Sequence, residues 1–347
     1  MKAIVYHGIN DVRLDNVETP RINENQALLK VKTAAICGTD LRVKAAGHRA
    51  ISSSESRILG HEVSGVIVST GKKVSGLSPG MRVSVAPVVG CGRCRQCLSG
   101  KQINCKDDIV LGLSINGGMA EYMVIPEQHI ISGNVFILPD SMDFETAAIA
   151  EPLATVFTGL EACLLKPADV VLIVGAGPIG LMHMQMAKVF GAAKVLVSEV
   201  VESRRVRAVE FGADLVIDPL ADNAVVTVME NSGGRGADVI IIAAAAPEAQ
   251  SQSLNLAAVG GSINFFGTLP KARQDVILNT NLIHYKNLKL VGTTGSTVLN
   301  YYRTMELVIS KKFDLSKYIT SRFSFNDYLE GFAAAASSSA LKVILEF

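Results

Sequence analysis

The chain has 347 residues, 49% of them hydrophobic and 19% charged, which is enough to bury two ordinary cores. Its 33 basic and 32 acidic residues leave a formal charge of +1 and exclude the broad basic field that non-specific nucleic-acid binding needs. The first residues lack the apolar run and small-residue cleavage site of a secretory signal, so a cytoplasmic location is expected, with reduced cysteines.

As far as about residue 150 the pattern is one of short β-branched runs at 27–33, 62–70 and 82–86, punctuated by turns such as Ser78-Pro79-Gly80, and it predicts an all-β region. Cys37-Gly38-Thr39-Asp40 and Gly60-His61-Glu62 lie within it, and Glu151-Pro152 closes it. A soft thiolate, an imidazole and a carboxylate suit a three-ligand zinc site that keeps a place for water or substrate. Spacing alone does not bring these segments together, and a lone histidine or cysteine is more often an ordinary packed residue. Cys91, Cys94, Cys97 and Cys105 form C-x2-C-x2-C-x7-C, which supplies four thiolates to one closed, structural zinc. A redox C-x-x-C is the alternative, but it needs no third and fourth cysteine. Cys163 stands alone in an apolar stretch and reads as a core residue.

From about residue 170, apolar strands at 170–175, 194–199, 215–218, 239–243 and 262–267 alternate with helical stretches and predict a parallel sheet covered on both faces. The most membrane-like stretch, 170–189, contains glycines, Pro178, His183 and Gln185 and reads as strand, turn and helix, not as a span. Its turn, Gly175-Ala176-Gly177-Pro178-Ile179-Gly180, is the dinucleotide fingerprint: Gly175 for the tight turn, Gly177 for backbone approach to pyrophosphate, Gly180 for close helix packing. Glu199, nineteen residues after Gly180, can accept bonds from the ribose hydroxyls and favours NAD over NADP, while Arg204 and Arg205 close behind argue the other way. After about residue 292 mixed elements return. The stretch 333–336, followed by three serines, reads as a helix end, and 341–347 as a last strand.

Taken in order, Cys37-Gly38-Thr39-Asp40, Gly60-His61-Glu62, the four cysteines, Gly117-Gly118-Met119-Ala120-Glu121-Tyr122, Glu151-Pro152 and the glycine turn resemble the zinc-containing medium-chain dehydrogenases over nearly the whole chain. Within that family the chain is more similar to the sorbitol (L-iditol), galactitol-phosphate and threonine dehydrogenases than to the ethanol-type enzymes, which carry a cysteine ligand where this chain has Glu151. The resemblance implies an α/β protein in which a chaperonin-10-like β-barrel catalytic domain accompanies a Rossmann, doubly wound parallel sheet. The implied boundaries are 1–152 for the GroES-like catalytic domain with a zinc lobe at 88–108, 153–292 for the NAD-binding domain, and 293–347 for a return to the catalytic domain.

By the same resemblance Cys37 and His61 are ligands of a catalytic zinc, and Glu62 and Glu151 are acidic partners of which either binds the metal directly or through its water. Ile179, Glu199, Arg204, Phe266, Gly267, Thr268, Thr293 and Thr294 are implied to touch NAD. The expected reaction transfers a hydride from a secondary alcohol of a polyol or polyol phosphate to NAD, with zinc as the Lewis acid. Thr39 matches the hydroxyl that begins a proton relay in relatives. The relay's next member is a histidine three positions on, and here that position is Arg42, whose guanidinium cannot shuttle protons. The exit is then left to ribose hydroxyls and water, or to His48. Arg42, Lys44, His48 and Arg49 make this segment basic, which suits a phosphorylated or acidic substrate, although a solvated loop is the more ordinary reading of such a run.

The rival among enzymes is a threonine-type amino-alcohol dehydrogenase. The rival outside them is a non-catalytic NAD-binding zinc protein, which has no need of an open set such as Cys37, His61, Glu62 and Glu151. The same residues disfavour zinc-free quinone reductases. No nucleic-acid or membrane partner is expected, and the resemblance implies a homotetramer or homodimer.

Overall fold

The structure, a computed structural model, describes residues 1–52 and 54–347. They form two compact units, one of residues 1–154 with 296–347 and one of residues 155–295.

The first unit is organised on the strand Ala27–Ile36. Its alternating burial over the first residues puts Ala27, Leu29 and Val31 into the core, and towards its end it becomes buried on both faces. It pairs antiparallel with Glu62–Thr70, Tyr122–Ile125 and the final strand Lys342–Glu346. Arg82–Val85, Val135–Ile137 and Ile319–Ser324 complete a seven-stranded sheet. Register shifts against Glu62–Thr70, between Leu28 and Leu29 and between Val31 and Thr33, add local twist of the kind that bends a sheet. Glu62 lies opposite Ala35 on one side of the central strand, and Val343 lies opposite Ile36 on the other. The end of this strand is therefore where three chain segments deliver Cys37, Glu62 and Lys342.

The first unit is not purely β. The helix Gly38–Ala46 follows directly on the central strand, and shorter helices occupy Glu127–Ile131 and Phe144–Ala148. Gly38–Ala46 has only Asp40 and Val43 buried, so it offers no apolar stripe for periodicity to detect.

The second unit is a six-stranded parallel sheet in the order Leu215–Ile217, Lys194–Ser198, Val170–Val174, Ala237–Ile242, Ala257–Phe265, Lys289–Val291. Numbered along the chain this is 3-2-1-4-5-6, the doubly wound dinucleotide order, whose direction reverses between Val170–Val174 and Ala237–Ile242. Val170–Val174 is nearly continuous apolar burial, as a strand covered on both faces must be. The stretch 170–189 is this strand followed by the helix Pro178–Val189, and no helix among the described residues is long and apolar enough to cross a membrane.

Candidate metal centres and coenzyme site

At the end of the central strand the donor atoms of Cys37, His61 and Glu62 lie within 4.8 Å of one another. Asp40, fully buried, braces the group: its Oδ2 accepts the backbone N–H of Cys37 at 2.8 Å, and its Oδ1 lies 3.7 Å from His61 Nδ1. With Nδ1 turned to Asp40, Nε2 is the ring nitrogen left to ligate. Burial opposes a charge on His61, but Asp40, Cys37 and Glu151 outweigh it and hold its pKa well above the ordinary value. Burial also lifts the Glu151 carboxyl to about 7, with His61 pulling the other way and Glu62 adding to the rise.

Glu151, in the first turn of the helix Ala150–Ala162, is buried beside these charges but lies outside the group whose donor atoms fall within 4.8 Å. Lys342 Nζ donates to Glu62 Oε1 at 2.6 Å and lies as close to Oε2. Burial works against the Lys342 ammonium, and Glu62 and Cys37 overcome it, so its pKa is raised. Asp40 Oδ1 and His61 Nδ1 have no hydrogen-bond partner among the described residues. A half-buried thiol with a buried imidazole and buried carboxylates converging in this way fits a divalent, borderline-soft cation.

Thr39 sits in the first turn of the helix Gly38–Ala46, and its Oγ1 accepts a hydrogen bond from Arg42 Nη2 at 3.0 Å. His48 lies near enough to Arg42 and Arg49 to feel both. Burial and then these two charges lower its pKa, so three basic side chains gather on this helix and in the turn after it.

The second cluster is Cys91, Cys94, Cys97 and Cys105, with donor atoms again within 4.8 Å of one another and no disulfide. Cys94 Sγ lies 3.5 Å from Cys97 Sγ and 3.8 Å from Cys105 Sγ, close to the edge of about 3.8 Å that a tetrahedron of thiolates around zinc requires. Cys94 caps the helix Arg95–Leu98 by accepting the N–H of Cys97, and a Cβ on Gly90 would stand 2.5 Å from Cys97 Sγ, so only glycine lets the loop close. Backbone N–H groups of Arg93 and Cys94 pull the Cys91 thiol down to about 6, favouring the thiolate a metal needs. Cys163 is buried elsewhere, its thiol pushed up to about 12 by burial alone.

In the second unit the strand Val170–Val174 turns at Gly175, φ +100°, into a helix capped by Gly177 with Pro178 at its first turn and no side-chain cap. Its N–H groups remain for an anion. A Cβ on Gly180 would fall 1.8 Å from Gly175 O, whereas one on Gly177 would meet nothing within 4 Å, so the backbone there is open to approach. Ile179 lies in the same first turn and Arg204 on the helix Glu202–Glu210. The Glu199 carboxylate is buried and accepts the N–H groups of Ala176 at 2.7 Å and Val201 at 2.9 Å, so it ties the glycine turn to the second strand. Arg205 is committed to Asp218, at 2.9 Å, and to the carbonyls of Glu199 and Val200.

Phe266, Gly267 and Thr268 follow the carboxyl end of Ala257–Phe265, and Thr293 and Thr294 that of Lys289–Val291, where parallel sheets bind ligands. Asn264, which the motifs do not mark, donates to Gly159 O and Thr293 Oγ1 and so fixes this edge. Lys342 and the bracing role of Asp40 also escape the motifs. The one sequence signal for Lys342 is a lysine leading the apolar run Val343-Ile344-Leu345 of the last strand.

Residues 23–138 match the alcohol dehydrogenase GroES-like domain and residues 178–310 the zinc-binding dehydrogenase domain. An L-threonine 3-dehydrogenase of Pyrococcus abyssi is 34% identical over 336 residues, covering 95% of this chain and 94% of its own. A zinc-binding dehydrogenase of Sinorhizobium meliloti, bound to NADP, superposes with a TM-score of 0.90 at 29% identity, covering 100% of this chain and 99% of its own. Galactitol-1-phosphate dehydrogenase from Escherichia coli superposes with a TM-score of 0.89 at 26% identity and 100% coverage of both chains.

Proposed function

Because the chain belongs to the zinc-containing medium-chain dehydrogenase family, we propose that it oxidises a secondary alcohol of a polyol or polyol phosphate with NAD as hydride acceptor. The observation that carries the reaction type is the convergence of Cys37, His61 and Glu62, with Glu151 beside them, in the first unit. In this reading residues 1–152 are the catalytic domain with the lobe 88–108, residues 153–292 bind NAD, and residues 293–347 return to the catalytic domain.

When bound, zinc supplies a Lewis acid for the substrate hydroxyl and NAD a hydride acceptor. The protein's own contribution is position and charge. Asp40 sets a negative charge 3.7 Å from Nδ1 of His61, which favours presenting Nε2. Arg42 occupies a lone pair of Thr39 Oγ1, which leaves the Thr39 proton to donate to the substrate oxygen as its charge develops. Arg42 beside Thr39, with Arg49 and His48 in its neighbourhood, favours a substrate carrying an anionic group. In the second unit the open N-terminus at Gly177 and the loops after Phe265 and Val291 bind the coenzyme.

The second reading, a threonine-type amino-alcohol dehydrogenase, is favoured by relatives of that name at 34% identity. It uses the same metal and coenzyme residues, and a carboxylate would meet the same cations. Absorbance of NADH formed from free polyols, polyol phosphates and threonine, with a Cys37→Ser control, tests both. Cys37-dependent turnover of one class assigns the substrate. Absence of turnover with every member overturns the enzymatic reading and leaves a non-catalytic NAD-binding zinc protein.

A further inference from the structure

His183 is fully buried on the helix Pro178–Val189, and neither of its ring nitrogens has a hydrogen-bond partner among the described residues. What the imidazole offers its surroundings is therefore the shape and edge of a ring. It meets Phe266 with ring centres 4.7 Å apart and planes at 84°, the edge-on arrangement that aromatic quadrupoles favour. Gly159 lets the pair form. A Cβ there would stand 2.7 Å from His183 Cε1 and 3.1 Å from Phe266 Cδ2, and the Gly159 carbonyl accepts a hydrogen bond from Asn264 at 3.0 Å. All four residues belong to the second unit.

The place of the pair in the sheet gives it a consequence. His183 stands on the helix that the glycine turn opens, and Phe266 on the loop after Ala257–Phe265. At the carboxyl ends of the strands these segments form a row: a Cβ on Gly175 would stand 3.1 Å from Ala244, which follows Ala237–Ile242, and one on Gly267 would stand 2.6 Å from Ala244 O. Phe266 and Gly267 thus lie two strand spacings, about 10 Å, along the sheet from the turn. A doubly wound sheet gives one mononucleotide to each half. Glu199 ends a strand of the first half, so the adenosine end of the coenzyme falls there and the nicotinamide end falls at the loop of Phe266.

Phe266 is half-buried, and its loop runs through Gly267 into the exposed Thr268. It is held by the ring of Phe266 against His183 and by the Gly267 N–H, which donates to Ile242 O at 2.7 Å. Any ordering of such a loop that is left until the coenzyme arrives is subtracted from its affinity. We propose that His183 is a positioning residue for the coenzyme: by seating the ring of Phe266 it holds the loop 266–268 ready for the nicotinamide half, and so couples the pyrophosphate-binding helix to the other half of the site. This rests on the NAD-linked reading above.

Isothermal titration of the full-length, zinc-replete protein with NADH, and with ADP-ribose, which lacks the nicotinamide, tests this. His183→Ala removes the ring, and His183→Leu removes it while filling its space, which separates the loss of the ring from the making of a cavity. Both should weaken NADH about fivefold, the scale of one aromatic pair, and leave ADP-ribose within about twofold of the parent. A role confined to supporting the helix would weaken both ligands together. Phe266→Ala should weaken NADH by at least as much, and adding His183→Ala to it should weaken NADH no further, because a brace has nothing to act on once its target is gone. ADP-ribose weakened as much as NADH, NADH unchanged in both His183 variants, or losses that multiply in the double variant each overturn the proposal. A parent protein that binds neither ligand overturns the NAD-linked reading itself, an outcome distinct from the others.

Discussion

Arg42 Nη2 donates to Thr39 Oγ1 at 3.0 Å. A permanently charged donor at that distance makes the hydroxyl a better proton donor and leaves it no titratable partner behind it. Arg42→Ala should lower kcat for alcohol oxidation about tenfold, the scale of one charged hydrogen bond near an exposed residue. Arg42→His should add an inflection to the kcat pH profile at about 6.5, where a histidine titrates. A parent profile that already shows this inflection, unchanged in Arg42→Ala, would show that another titratable group serves Thr39 and that Arg42 does not govern it.

The same helix and the turn after it bear on substrate class. Arg49 shares the neighbourhood of His48 and Arg42 but has no hydrogen bond to Thr39 among the described residues, so it separates charge recognition from chemistry. Arg49→Ala should raise KM about tenfold for a polyol phosphate and leave it unchanged for the free polyol, because only the ester offers an anion to the guanidinium. Equal changes for both would end the phosphate reading. His48 adds a sign to the test: burial and the two arginines lower its pKa, so it is neutral near pH 7 and gains charge only on acidification. That gain opposes the loss of the ester's second charge at about pH 6, so phosphate binding should fall less steeply on acidification in the parent than in a His48→Gln variant.

What could be read from the sequence follows the distance over which each feature is encoded. The cysteine quartet and the glycine turn are contiguous, and their chemistry is stated by spacing alone. The parallel strands of the second unit are apolar runs between glycines, and they stand within a few residues of where they were expected. The centre at Cys37 is different. Cys37 and the pair His61-Glu62 are scattered along the chain, and it is strand register that gathers them, while Glu151 arrives on a helix. Lys342 was invisible because its place depends on the final strand pairing with Ala27–Ile36, a contact between chain ends. The helix Gly38–Ala46 escaped the all-β expectation because it is held by its capping contacts between Cys37 and Asp40 and has no apolar stripe.

His183, on the helix that follows the glycine turn, is fully buried with neither ring nitrogen hydrogen-bonded among the described residues, and it packs edge-on against Phe266 at 4.7 Å between ring centres. Burial drives its pKa from 6.5 to about 3. The unfolded chain thus binds a proton that the folded one refuses. The resulting stability is complete above pH 6.5 and declines as pH falls towards 3, by about 2 kcal/mol at pH 5. His183→Leu should remove that share, so the variant loses less stability than the parent between pH 8 and pH 5 in urea unfolding. Identical losses in both proteins would show that His183 is solvated or protonated in the fold.

Glu199 does two jobs that one substitution can separate. Its carboxylate anchors the glycine turn through the N–H of Ala176 and its own strand end through the N–H of Val201. A carboxylate has lone pairs beyond the two engaged here, so it can also accept from ribose hydroxyls, and its charge repels the extra phosphate of NADP. Glu199→Gln keeps the size but loses the charge and one acceptor, because its amide nitrogen cannot receive an N–H. Loss of the anchor weakens both coenzymes together, whereas loss of the charge acts on NADP alone and in the opposite direction. The ratio of kcat/KM for NAD to that for NADP should consequently fall about tenfold or more, even as NAD itself binds less well. If both constants drop by one factor, Glu199 serves the turn only, and the preference between coenzymes is set by Arg204 and its neighbours on the helix Glu202–Glu210.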